Sequence, residues 1–179
     1  MRLTSIICLF SFNTPMPSIH LTTFIHAPLQ RVFNLSRCIK LHEISTKQTN
    51  EKAISTTAAD LMNAGDIVTW QANHLFKKRS LKVAITEMEH NGYFKDQMVE
   101  GDFASMNHEH HFKPIANGTI MIDIFKFESP FGIAGKIFNS VYLTRYMHRL
   151  LTQRNMMLKQ YAESGMWKSV LDSKDTVKQ

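Results

Sequence analysis

Three side chains on two neighbouring segments have the residue types and spacing of a polar site. His108 and His110 alternate with other residues in a segment typical of a strand, so both point to the same side of it. Asp123 lies on the next predicted strand, beyond the hairpin signal Asn117-Gly118. Two imidazoles and a carboxylate can bind zinc or iron. In an enzyme, the less favoured alternative, His110 and Asp123 would form an acid–base pair.

Strand geometry favours hydrogen bonds over metal binding at these residues. Positions two apart on a strand are separated by about 7 Å along its axis, which is wide for two ligands of one ion. The alternative is that Asp123 accepts hydrogen bonds from buried imidazoles. We therefore predict no metal site and no cofactor, and we assign no catalytic residue.

Arg154 is the second polar candidate, because it lies on the apolar stripe of a predicted helix, between Leu151 and Leu158. Burying a guanidinium alone is costly, so it needs a partner. One alternative is an anionic or carbonyl-bearing ligand, and another is solvent reached by an extended side chain. We favour a structural ion pair. Its candidate protein partners are Asp96, Glu109 and Asp123.

The elements that would position these residues follow from hydrophobic periodicity. Alternation of period two predicts strands at 19–25, 53–57, 68–74, 81–85, 93–99, 103–113 and 119–127. Two short helices are predicted after the first strand, one following Pro28 and one starting near Ser36. An apolar stripe predicts a long helix over 133–163, about 45 Å in length. The predicted class is α+β, a curved antiparallel sheet of about seven strands crossed by this helix.

A sheet crossed by one helix leaves an interior that these residues would line. The candidate ligand-binding residues are Trp70, His74, Phe94, Asp96, Met98, Met106, His108, His110, Asp123, Phe125, Met147, Leu151 and Arg154. The polar members His74, His108, His110, Asp123 and Arg154 are the proposed anchors. For any single apolar member, a filled core is the alternative.

The composition limits the class of protein. Of 179 residues, 44% are hydrophobic and 20% are charged, which is typical of one globular domain. The net charge of +6 permits transient contact with an anionic membrane, but no nucleic-acid-binding motif accompanies it, and we expect no nucleic-acid partner. The two cysteines form no CxxC motif or disulfide framework, so a reducing, cytoplasmic location is expected. There is no GxSxG, P-loop or GxGxxG motif.

The chain divides into three parts. Residues 1–17 contain a short apolar stretch without a cleavage motif, and we interpret them as a leader or a mis-assigned start outside the fold, with the domain beginning near Met16. Residues 18–163 form the predicted domain. Residues 164–179 are predicted to be a polar tail.

Motifs spread over residues 16–163 resemble one known superfamily. They are Ile25-His26-Ala27-Pro28 with Val32-Phe33, Gly65-Asp66 leading to Thr69-Trp70 and His74, Phe94 to Phe103 with Asp96 and Gly101, His108-Glu109-His110, Gly118-Thr119 with Met121 and Asp123, Ser129-Pro130-Phe131-Gly132, and Arg154-Asn155. In order and spacing they are similar to START-like (SRPBCC) proteins, including the coenzyme-Q-binding branch. The sequence departs from the family pattern at Leu75-Phe76, where His-Phe-Gly is expected after His74.

The resemblance implies a helix-grip fold around a hydrophobic cavity. Members of the superfamily bind, transport or transform varied ligands, so it implies no single activity. The function expected first is binding of a lipid-, quinone- or aromatic-like molecule. The alternatives are an enzyme such as a cyclase, hydratase or hydrolase acting on an apolar substrate, and a protein-interaction module using the basic helix face.

Overall fold

A computed structural model describes residues 16–74, 76–128 and 133–171, with side chains of the last range from residue 142 onward. The predicted leader, apart from Met16 and Pro17, the loop residue Leu75 and the segment 129–132 lie outside the described residues. The seven strands are β1 (Ser18–Ile25), β2 (Lys52–Thr56), β3 (Ile67–His74), β4 (Lys77–Glu89), β5 (Tyr93–Glu100), β6 (Ser105–Ile115) and β7 (Gly118–Glu128). The helices are α1 (Leu29–Ser36), α2 (Ile39–Ser45) and α3 (Ile133–Glu163).

The seven strands form one antiparallel sheet in the order β1-β7-β6-β5-β4-β3-β2. Consecutive strands from β2 to β7 are neighbours, and β1 pairs with β7 at the edge of the sheet opposite β2. Burial alternates along β7 and along β6 up to Phe112, as expected when one sheet face meets the core. The predicted α+β helix-grip architecture is therefore confirmed.

The long helix α3 covers the buried face of the sheet and contacts β1, α1 and α2. Its apolar stripe is buried at Leu151, Leu158 and Ala162, while Arg145 and Arg149 face solvent on the opposite side. Among the described residues, no helix combines the length and the apolar character needed to cross a membrane.

The turn between α1 and α2 differs from the prediction. Ser36 does not cap α2, because α1 extends to Ser36 and the Ser36 hydroxyl donates to the Phe33 carbonyl oxygen. Helix α2 begins at Ile39 instead, and the Cys38 backbone carbonyl accepts from the His42 amide. The short spacing between the two helices leaves the Ser36 carbonyl free to accept a hydrogen bond from α3, at Arg154.

The β6–β7 hairpin fixes which residues of the site face each other. Its loop is Ala116-Asn117, so that Ile115 pairs with Gly118 and His110 pairs with Asp123. Gly118 has φ +153°, and a Cβ added there would lie 2.1 Å from the Ile25 carbonyl oxygen. Only glycine therefore allows β1 to approach this hairpin so closely.

We expect Gly118→Ala to destabilise the domain by about 3 kcal/mol, because the new methyl group must displace backbone. Chemical denaturation measures the loss. Gly165→Ala is the matched control, since nothing lies within 4 Å of an added Cβ at Gly165. Equal stability of the two variants would show that β1 can move away from the hairpin at no cost.

The C-terminal segment extends the domain beyond the predicted boundary at residue 163. A 3-10 helix spans Gly165–Ser169, and the side chains of Val170 and Leu171 are buried. The Cys38 thiol lies 3.4 Å from the Val170 carbonyl oxygen, and the Arg31 guanidinium lies 4.6 Å from the centre of the Trp167 ring. The prediction of a polar tail from residue 164 is wrong for 164–171, because Val170 and Leu171 belong to the buried core and Trp167 packs against that core. Residues 172–179 lie outside the described part.

Candidate functional site

A cavity of about 270 Å³ lies between the concave face of the sheet and α3. Trp70 and Ala72 of β3, Phe125 of β7 and Leu151 of α3 give it apolar walls. The exposed lining residues Asp102 and Tyr142 mark the side on which it meets solvent. The Arg79 guanidinium forms an ion pair with the Asp102 carboxylate at this mouth.

Ten of the thirteen candidate residues line the cavity. They are Trp70, His74, Phe94, Asp96, Met106, His108, Phe125, Met147, Leu151 and Arg154. Met98 does not, because its sulfur lies over Gly101 together with the Leu81 side chain. His110 and Asp123 are also absent from the lining. They are buried behind it, with exposures of 0% and 1%.

A polar cluster at and behind the cavity wall joins three strands to α3, and we call it the Asp123 cluster: Asp96, His108, His110, Asp123 and Asn155. His110 lies between two carboxylates, with Nε2 3.2 Å from Asp96 Oδ2 and Nδ1 2.7 Å from Asp123 Oδ1. His108 Nε2 lies 3.2 Å from the same Asp123 oxygen. Asn155 of α3 donates to Asp123 Oδ2 at 2.7 Å. Asp123 is thus the common partner that links sheet and helix.

The sequence-based spacing argument about the two histidines was wrong. Their ring centres are only 3.9 Å apart, because the side chains lean towards Asp123 and do not stand parallel to each other. Ligand atoms of Asp96, His108 and His110 lie within 4.8 Å of one another, a set that could hold a metal ion. The hydrogen-bonding interpretation remains our prediction, because His110 between two carboxylates is better suited to donate protons than to coordinate a cation.

The pKa values of the two histidines in the cluster are shifted in opposite directions. Burial disfavours charge on both, but the contacts with Asp123 and Asp96 outweigh burial at His110 and raise its pKa. Burial and the neighbouring His110 lower the pKa of His108. Burial alone would raise the pKa of Asp123, yet the hydrogen bond from His108 and the close contact with His110 hold it well below its usual range. His110 therefore keeps its proton to a higher pH than His108, which lies beside the cavity.

An NMR titration of the imidazole resonances should show His110 protonated to a higher pH than His108. Because its folded pKa is raised, charged His110 stabilises the fold below its unfolded pKa of about 6.5, and this contribution is lost as the pH rises through the folded value. The Asp123 contribution has the opposite sign, being present above about pH 3.9 and lost as the pH falls through its lowered pKa. A folded pKa for His108 above that of His110 would contradict this assignment.

A second polar group on the other wall was not predicted from the sequence. Glu51, just before β2, lies 3.5 Å from His42 Nε2, and the His42 ring stacks on Trp70 with centres 4.0 Å apart. His74 at the end of β3 lies 2.8 Å from the Tyr146 hydroxyl on α3. Only His74 was anticipated, through its place on the inward face of β3. The others come from segments far apart in the chain, and no local motif links them.

Burial also shapes the electrostatics of this wall. It would raise the pKa of Glu51, but the neighbouring His42 imidazole lowers that pKa below the usual range. Burial lowers the pKa of His74. The wall therefore presents an ionised carboxylate and a neutral imidazole at neutral pH.

Arg154 forms only a weak version of the ion pair that the sequence predicted. Its side chain is 10% exposed, and Nη1 lies 3.9 Å from Asp123 Oδ1, beyond hydrogen-bonding distance. Nη2 donates to the Ser36 carbonyl oxygen at 2.9 Å. Nη1 is buried and has no hydrogen-bond partner among the described residues. The structural ion pair favoured from the sequence is thus long, and a backbone carbonyl is the closer partner.

Comparison with known proteins identifies the fold. No protein-family model matches the sequence, and no curated protein does. Among solved structures, TTHA0849 from Thermus thermophilus is 19% identical with a TM-score of 0.63, over 82% of this chain and 99% of that chain. Major latex-like protein 151 from Panax ginseng is 14% identical with a TM-score of 0.61, over 82% and 97%. Zhui aromatase/cyclase from a Streptomyces species is 10% identical with a TM-score of 0.68, over 89% and 98%. At these identities the likeness shows the helix-grip fold that the START-like resemblance implied.

Proposed function

We propose that this helix-grip protein binds a small hydrophobic molecule in the cavity beneath α3. The observation that carries the proposal is a cavity of about 270 Å³ with mostly apolar walls and a few polar groups at fixed positions. Ligand sites in proteins have this composition, in which apolar walls provide the binding energy and polar groups set the orientation. The modest volume favours a molecule of one to three rings or an equivalent chain.

The fold neighbours support a ligand-binding interpretation. One of them is an aromatase/cyclase, and others are a latex-like protein and Ara h 8.0201. The same fold thus occurs in an enzyme and in proteins without an enzyme name. The identity of the ligand must therefore come from the cavity itself.

An enzyme acting on an apolar substrate is the second candidate, and one observation favours it. His108 lines the cavity while Asp123 accepts from its Nε2, an arrangement that orients an imidazole for proton transfer. The sequence pointed to His110 for this role, but the cavity lining does not include His110. The lowered pKa of His108 leaves it neutral at pH 7, the form a general base requires.

Native mass spectrometry of freshly purified protein tests the binding proposal. A co-purified apolar molecule, or a stoichiometric complex formed on adding fluorene, would support it. Conversion of a bound compound to a product that His108→Phe no longer forms would favour the enzyme. A protein that retains no molecule and binds no apolar probe at saturating concentration would contradict both.

A further inference from the structure

The nitrogen Nη1 of Arg154 is a buried, charged donor just behind the cavity surface, and it has an unused hydrogen bond. The Arg154 side chain is nine-tenths buried and lines the cavity. The other terminal nitrogen is held by the Ser36 carbonyl oxygen, which fixes the guanidinium in place. No acceptor among the described residues reaches Nη1.

The nearest carboxylate cannot fully satisfy this donor. Asp123 Oδ1 is 3.9 Å from Nη1 and is already shared by His108 at 3.2 Å and His110 at 2.7 Å. A buried donor without an acceptor loses its hydration with no compensation. An acceptor brought by a ligand would therefore gain a hydrogen bond to a charged group once a side-chain shift opens Nη1, which protein atoms cover, to the cavity.

Charge balance indicates what kind of acceptor fits. Besides the Asp102–Arg79 pair at the mouth, three carboxylates lie at or behind the wall, those of Glu51, Asp96 and Asp123. Arg154 is the arginine that lies among these three carboxylates. Another anion would add to a negative excess in a region of low dielectric. A neutral oxygen avoids that repulsion and can still accept from Nη1.

We propose that the ligand carries a neutral carbonyl-type oxygen that accepts a hydrogen bond from Arg154 Nη1, while its apolar body contacts Trp70, Phe125 and Leu151. This inference rests on the proposed function and names the chemical class of its ligand: an apolar ketone, quinone or amide. Arg154 is the group that distinguishes such a molecule from a plain hydrocarbon or a carboxylate of the same shape.

Three probes with one ring skeleton test the inference: fluorene, fluorenone and fluorene carboxylate. Calorimetric titration of the full chain should show fluorenone binding about tenfold more tightly than fluorene, with the carboxylate weakest. Arg154→Met should abolish the preference for fluorenone and leave fluorene affinity within about twofold. Arg149→Met is the matched control, because Arg149 lies on the same helix and faces solvent, and it should keep the preference.

The outcomes separate this inference from the proposed function. If no probe binds, the proposed function fails. If fluorene and fluorenone bind equally to the unmodified protein, the carbonyl acceptor is wrong while the cavity remains a binding site. Tightest binding of the carboxylate would overturn the charge argument. The ranking in the unmodified protein decides these points even if Arg154→Met does not fold.

Discussion

Replacing Asp123 with asparagine should destabilise the domain by about 3–5 kcal/mol, the loss typical of a broken buried ion pair. The Asp123 carboxylate is 1% exposed and lies 2.7 Å from His110 Nδ1. It also accepts hydrogen bonds from Asn155 and His108. An amide of the same shape removes the charge that offsets His110, and it presents an NH₂ group to at least one donor. Denaturant unfolding at neutral pH measures the effect.

Asp102→Asn provides a matched control for this prediction. The Asp102 side chain is 55% exposed, and its ion pair with Arg79 lies at the solvent-facing mouth. Such a pair contributes at most about 1 kcal/mol, so Asp102→Asn should unfold close to the unmodified protein. A loss of under 1 kcal/mol for Asp123→Asn would mean that the cluster does not stabilise the fold by charge pairing.

Ala72→Phe should lower the affinity for both fluorene and fluorenone by at least tenfold. Ala72 is a small buried residue on the inward face of β3 and lines the cavity. A phenyl ring there would occupy the space that a ligand needs, while its own burial offsets the cost of local repacking. Calorimetric titration measures the affinity, and a thermal melt checks that the variant is folded.

The neighbouring position supplies the control. Asn73 is exposed on the opposite face of β3, so Asn73→Phe adds the same ring outside the cavity and should bind both probes normally. Unchanged affinity in Ala72→Phe would place the binding site elsewhere on the protein.

The order of elements was predictable because each carries a clear local pattern. Alternation along β6 and β7 predicted that His108 and His110 share one face, and the hairpin signal predicted that Asp123 lies opposite. The apolar stripe of α3 predicted a helix from 133 to 163, which is the observed span. These features depend on residues that are close in sequence, so they can be predicted directly from the periodicity of strands and helices.

The details of the site depend on contacts between distant segments, which no local pattern encodes. Glu51 meets His42 because α2 packs against β2, and His74 meets Tyr146 because the end of β3 lies beside α3. The partner of Arg154 was expected to be a carboxylate, but the nearer one is a backbone carbonyl in the turn after α1. Backbone acceptors of this kind are available at every residue, so side-chain types alone cannot point to them.

Methionine methyl groups offer the most direct test of whether the cavity holds a ligand. Met106 and Met147 line the cavity, whereas Met156 on the outer face of α3 is 65% exposed. NMR spectra of protein with carbon-labelled methionine methyl groups, assigned by single Met→Leu substitutions, should be recorded while fluorene is added. We expect saturable shifts at Met106 and Met147 and none at Met156. Shifts confined to Met156, or no shift at saturating probe, would contradict a ligand-binding cavity beneath α3.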